Sequence, residues 1–368
     1  MFTFALTEAT GAYTFTLSAP IDQDESGPAN SAGEGVFSFS SISSLLTATD
    51  KDGSSVTAAS GALTLAIIDD QPTASTNTQT ATVDEDGLAG ETTGETGFKV
   101  SATGNVSNLF NTGADTPLTY TLSGSTAGLP TLTSGGAAVS YAITSDGTTD
   151  TLTATKTGGG TVFTFALTEA TGAYTFTLSA PIDQDESGPA NSAGEGVFSF
   201  SSISSLLTAT DKDGSSATAA AGALTLAIID DQPTASTNTQ TATVDEDGLA
   251  GETTGETGFK VSATGNVSNL FNTGADTPLK FTLSGSTAGL PTLTSGGAAV
   301  SYAITSDGTT DTLTATKVGG GTVFTFALTE ATGGLHLHAL GPDRPGREWS
   351  SQQCRRRCVL LQQHQLPA

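Results

Sequence analysis

Along most of the chain, small or polar residues alternate with Val, Ile, Leu, Phe or Tyr. The runs "AVSYAIT", "DTLTATK", "TVFTFAL", "AYTFTLSAP", "GVFSFS" and "GALTLAIID" all carry this period-2 pattern. Such alternation sends successive side chains to opposite faces and predicts half-buried β-strands. The runs are separated by "SDGT", "TGGG" and "EATG", whose Gly and Asp suit tight turns. No stretch shows a capped helical period of useful length, and "SSISSLLTA" is the one faint exception. The prediction is an all-β protein built as antiparallel β-sandwiches.

The strands recur as a block. "FTFALTEATGAYTFTLSAPIDQDESGPANSAGEG" begins at Phe2 and again at Phe163, and "FTFALTEATG" begins a third time at Phe324, giving a period of 161 residues. Residues 2–162 and 163–323 differ only at Val56/Ala217, Ser60/Ala221, Thr119/Lys280, Tyr120/Phe281 and Thr157/Val318. This is a recent tandem duplication, and the chain reads as a window onto a longer array. The best module boundary is "IIDDQPTAS", where an apolar strand ends in two carboxylates and a proline. Residues 1–70 are then the C-terminal part of a module, 71–231 a complete module, and 232–333 the N-terminal part of a third. A module of 161 residues is long enough to bury its own core.

After Gly333 the repeat should continue "AYTFTLSAPIDQDESGP", but the chain reads "GLHLHALGPDRPGREWS". Inserting one base reproduces the change: Tyr-Thr-Phe-Thr, read one base out of step, yields Leu-His-Leu-His. Residues 334–368 match Ala12 through Leu46 in this way, so they are expected to be a frameshifted tail without native fold. The tail holds His336, His338, His364, Cys354, Cys358 and Trp349, so a zinc reading of its cysteines and histidines is set aside. Met1 stands where the repeat has Val162 and Val323, as an alternative GTG start inside the array would produce.

Charge narrows the function. Residues 1–333 carry 7 lysines and no arginine against 35 acidic residues, a formal charge of −28. Such a surface repels nucleic acid and anionic lipid and attracts divalent cations. No apolar run approaches the length of a membrane helix, and the start lacks the basic and apolar regions of a secretory signal. Without cysteine before residue 334, disulfides and thiolate metal sites are not expected in the repeat.

Four acidic motifs recur in each period. They are "TDKDGSS" (Asp50, Asp52; Asp211, Asp213), "IIDDQP" (Asp69, Asp70; Asp230, Asp231), "VDEDG" (Asp84, Glu85, Asp86; Asp245, Glu246, Asp247) and "IDQDESG" (Asp22, Asp24, Glu25; Asp183, Asp185, Glu186). Calcium takes six to eight oxygens, and Asp-x-Asp-Gly places two carboxylates on one short loop. If "DKDGSS" turns a hairpin, that turn lies opposite "IIDD" and beside the module's own N-terminus, where Asp69 and Asp70 arrive. They are expected to meet Asp211 and Asp213. The run "TASTNTQTAT", as a single strand of roughly 33 Å, would carry Asp84, Glu85 and Asp86 to the far end to join Asp230 and Asp231. Each joint between modules would then hold one acidic cluster. The bland alternative is solvated turn residues that keep a β array soluble.

"TATVDEDGLAGE", "GLPTLTSGGAAVSYAITSDGTTDTLTATK", "VFTFALTEATGAYTFTLSAPID" and "TATDKDGSS...GALTLAIIDDQPTAS", in that order, make residues 1–333 resemble the repeats of giant type I secreted, repeats-in-toxin (RTX) adhesins of Gram-negative bacteria. The resemblance implies extracellular Ig-like or cadherin-like β-sandwich repeats, calcium-dependent rigidity, export by the type I secretion machinery, and a role in surface attachment or biofilm through an unidentified surface ligand. The glycine-aspartate nonapeptide blocks and the C-terminal secretion signal of that family are missing from this stretch. The expected function is a structural and adhesive repeat whose partners are neighbouring modules, with neither nucleic-acid binding nor membrane insertion. A metal-independent spacer is the alternative. A carboxylate-based glycoside hydrolase is remote, because the repeat lacks His, Cys, Arg and Trp and shows no aromatic platforms, so no enzyme is expected.

Overall fold

The computed structural model describes residues 2–21, 34–88, 99–184, 196–249 and 260–340. They are nearly all β, with no α-helix among them. The faint helical signal in "SSISSLLTA" resolves into the 3-10 turns Ser41–Leu45 and Ser202–Leu206. The described residues up to Asp231 form one compact unit and those from Gln232 onward a second.

Within the first unit, residues 71–231 make a sandwich. One layer is a six-stranded sheet in the order Thr133–Ser134, Ala137–Ser145, Thr149–Lys156, Thr161–Thr168, Ala173–Leu178 and Ser101–Asn105. Its middle strands are the meander that the alternating runs predict, paired antiparallel with their sequence neighbours. Two three-stranded sheets share its core. One is Val197–Phe200, Leu224–Ile229 and Gln79–Asp84; the other is Thr119–Leu122, Leu207–Thr210 and Ser216–Thr218. Phe163, Phe165, Phe176 and Leu152 from the first layer and Val83, Leu207, Leu224 and Leu226 from the second belong to a single buried cluster. At about 1.5–3 kcal/mol for each large apolar side chain fully buried, this contact dominates the module's stability.

The module is closed by its ends. Gln79–Asp84 near the N-terminus pairs parallel with Leu224–Ile229 near the C-terminus, in a register running from Gln79 opposite Leu224 to Asp84 opposite Ile229. The run "TASTNTQTAT" is therefore not one strand. It breaks into Thr73–Ala74, paired with Phe110–Asn111, and the longer strand from Gln79, because Ser75 and Asn77 turn the backbone onto the Asn108 carbonyl instead.

The incomplete modules keep only part of this pattern. The described residues up to 70 form three two-stranded antiparallel pairs: Phe2–Leu6 with Tyr13–Leu17, Val36–Phe39 with Leu65–Ile68, and Thr47–Thr49 with Ser55–Thr57. In the second unit the six-stranded sheet is complete, in the order Ser262–Asn266, Gly334–Ala339, Thr322–Thr329, Thr310–Lys317, Ala298–Ser306 and Thr294–Ser295. The expectation that the tail has no native fold from residue 334 onward is corrected here, since Gly334–Ala339 occupies the place of Ala173–Leu178. The alternation persists there in different residues: Leu335, Leu337 and Ala339 take the inner face of Tyr174, Phe176 and Leu178, and His336 and His338 the outer one. The rest of the tail, 341–368, lies outside the described residues.

Candidate metal centre

At one end of the sandwich, Leu207–Thr210 and Ser216–Thr218 are joined by the turn carrying "DKDGS". Asp211 closes that turn, its N–H donating to the Ser215 carbonyl (2.9 Å) and its Oδ1 accepting from the Gly214 N–H (3.0 Å). Gly214 sits at φ +107°, where a side chain would be strained. Asp69, just past the strand Leu65–Ile68, reaches this turn and accepts from the buried Ser215 hydroxyl at 3.2 Å. Asp115 arrives from the loop after Phe110–Asn111. Carboxylate oxygens of Asp69, Asp115 and Asp213 all lie within 4.8 Å of one another. Two oxygens bound to one calcium are at most about 4.6–5.2 Å apart, twice the Ca–O distance. The three acids therefore fit around a single ion.

The fourth acid, Asp211, is only 6% exposed, and its Oδ2 is buried with no hydrogen-bond donor. Burial and, next to it, the adjacent Asp213 carboxyl push its pKa up to about 7. Without a cation Asp211 favours holding a proton; a divalent ion beside it would favour its ionised form.

The expected meeting of linker and turn is thus realised by Asp69 and Asp213, while Asp70 acts differently. Its carboxylate accepts from the Ala114 N–H, and a Cβ at Gly113, at φ +69°, would collide with it. Asp70 so holds the loop that presents Asp115. The sequence reading passed over Asp115 because a lone acid in "TGADTP" lacks the Asp-x-Asp spacing. Recurrence gave no signal either, since all but five positions of the period recur.

At the other end, the parallel strands deliver Asp84, Glu85 and Asp86 beside Asp230 and Asp231. Asp84 caps the following turn by accepting from the Asp86 N–H at 3.1 Å. Glu85 is fully buried, its Oε1 accepting from the Ile182 N–H at 2.9 Å, and it offers a carboxylate oxygen within 4.8 Å of one from buried Asp230. Asp86 and Asp231 are buried as well.

The remaining acids are less gathered. Asp50 folds its own turn, with Oδ1 accepting from the N–H groups of Asp52 (3.2 Å) and Ser54 (2.8 Å), and both acids are exposed. Asp245 caps the Asp247 N–H at 3.0 Å; Asp245 and Glu246 are exposed and Asp247 is half-buried. Asp183 is structural: it accepts from the Gly135 and Gly136 N–H groups at 2.6 and 2.8 Å. Although burial acts the other way, bonds from Gly136, Thr133 and Gly135 hold its carboxyl below the usual range. Asp22, Asp24, Glu25, Asp185 and Glu186 lie outside the described residues.

Residues 80–222 match a family model described as a domain of unknown function (DUF5801). The matched stretch falls inside the complete module and takes in Asp115, Asp211 and Asp213, with Asp69 upstream of it. No curated protein and no solved structure matches the chain. Among the described residues no helix is long and apolar enough to cross a membrane.

Proposed function

We propose that this chain is an extracellular structural and adhesive repeat, exported by a type I route from a Gram-negative cell, in which calcium stiffens the joint between consecutive sandwiches and so supports attachment or biofilm. The observation that supports it is the meeting of Asp69, the exit of one module, with Asp115 and Asp213 of the next. An ion held there would tie a linker to a module, which a spacer needing no metal has no use for. Asp69, Asp115 and Asp213 would supply the carboxylates, with Asp211 turned in behind them. Crowded carboxylates repel when metal is scarce, as inside a cell, and the joint loosens; outside, calcium locks it.

The test is thermal unfolding and small-angle scattering of the chain in chelator and in ~5 mM calcium, beside Asp69→Asn/Asp213→Asn. For a site in the 10⁻⁴–10⁻³ M range of extracellular modules, calcium should stabilise the first unit by about 1–2 kcal/mol and lengthen the particle. The double variant should lose most of both responses. An unchanged melting temperature and maximum dimension in the parent chain would leave the passive spacer as the better reading.

A further inference from the structure

The strand Gly334–Ala339 departs from the repeat in what its outer face carries. Where the complete module has Thr175 and Thr177, this strand has His336 and His338. Side chains two apart on a strand leave by the same face, so the two imidazoles stand side by side. Their ring centroids are 5.9 Å apart and their planes are inclined by only 13°. His336 is exposed and His338 half-buried. The Nδ1 atom of His338 is buried and, among the described residues, has no hydrogen-bond partner. A buried nitrogen in that state is uncommon, and turning the ring to present it elsewhere breaks no hydrogen bond at that atom.

The backbone beneath the pair is held on both sides. Gly334–Ala339 lies between Ser262–Asn266 and Thr322–Thr329, with His336 opposite Thr264 and Ala327 and His338 opposite Ser262 and Thr325. None of these four neighbours is charged. No lysine therefore repels a cation at the pair, and no carboxylate among them turns it towards calcium. The ladders also fix the spacing of the two side chains before any ion arrives, which lowers the ordering cost of holding one between them.

We infer that His336 and His338 form a two-nitrogen site for a transition-metal ion, copper(II) ahead of nickel(II) and zinc, with water completing the coordination. Imidazole suits these ions, whereas calcium and magnesium take oxygen ligands, so the site is chemically distinct from the carboxylate centre. Copper leads because divalent affinities for a nitrogen site peak there. Two nitrogens each about 2.0–2.1 Å from one ion are at most about 4.2 Å apart. The exposed ring of His336 has the freedom to lean towards His338 and close that gap. The acidic chain draws cations to its surface in general, but the complete module, with threonine at both places, lacks this pair and serves as an internal comparison.

The experiment is a copper(II) titration of the 368-residue chain in excess calcium, which keeps oxygen-ligand sites filled. The chain carries Cys354→Ser, Cys358→Ser and His364→Gln, so that the other soft and imidazole ligands of the tail are silent. Pulsed electron paramagnetic resonance counts the imidazole nitrogens on the ion, and hydrogen exchange reads the strand. The expected result is saturable binding with two imidazole nitrogens, and slowed exchange at 334–339 while 173–178 stays unchanged. His336→Gln alters an exposed side chain and so leaves folding intact; it and His338→Gln should each weaken binding roughly tenfold or more, because a chelate becomes a single contact. Copper held by one imidazole or none, affinity that both variants leave unchanged, or equal effects on 334–339 and 173–178 would each overturn the proposal. Asp69→Asn/Asp213→Asn should bind copper as the parent does, so the calcium joint is judged separately.

Discussion

Residues 2–17 and 163–178 are the same sequence and form the same antiparallel hairpin. In the first copy Phe2, Leu6, Tyr13 and Leu17 are 43%, 46%, 53% and 45% exposed; in the second, Phe163, Leu167, Tyr174 and Leu178 are at 0%, 0%, 4% and 2%. Local pattern builds the hairpin in both places, and only the presence of the opposite layer decides burial. The reverse holds for "QTATVD", where the pattern is present twice and the strand once. A meander strand makes its partner from its sequence neighbour, whereas a closing strand depends on residues about 145 positions away in the register of the parallel pair.

The comparison breaks most clearly at the shared phenylalanine. Phe163→Ala should destabilise the first unit by about 3–5 kcal/mol in urea unfolding, while Phe2→Ala should cost under ~1 kcal/mol. Equal effects would mean that the two hairpins share one environment after all.

A smaller effect separates the two "DKDGS" turns. Since the Asp211 pKa is raised above that of an unfolded carboxyl, the folded state binds the extra proton between about pH 4 and about pH 7. In chelator, stability should therefore rise as pH falls through that window. Asp211→Asn should flatten the trend, and saturating calcium should weaken or reverse it; Asp50→Asn, in the exposed turn, serves as the control. The measurement is melting temperature against pH for the three chains.

The smallest effect lies where the copies differ. Lys280 Nζ meets Glu330 at 2.9 Å, a contact that Thr119 cannot make in the complete module. Its side chain is 69% exposed, so Lys280→Thr should change stability by no more than ~1 kcal/mol, and less in high salt.

Much of this was legible in the residues. Alternation identified the meander. Spacing alone put the Asp211–Ser215 turn near Asp69, since a hairpin of known length must end at a known edge. What alternation could not supply was the partner of an edge strand, which is why the break between Ala74 and Gln79 and the parallel closure escaped it. The centre was half legible for a related reason. Asp213 stands in a motif, but Asp115 joins the cluster on a loop that Asp70 ties down at Ala114, and that is a tertiary contact. The strand at Gly334–Ala339 makes the complementary point: its residues depart from the repeat, and their alternation alone keeps the strand in the sheet.

The parallel pairing of Gln79–Asp84 with Leu224–Ile229 has a mechanical consequence. Tension along an array enters a module just before the first strand and leaves just after the second, so it pulls the two strands past each other lengthwise. The register pairs from Gln79–Leu224 to Asp84–Ile229 are then loaded together in shear, unlike a hairpin that opens one pair at a time. Resistance to forced unfolding is set by the rate of that shearing step and not by equilibrium stability. Modules of ordinary equilibrium stability, if pulled in series, would then resist extension kinetically.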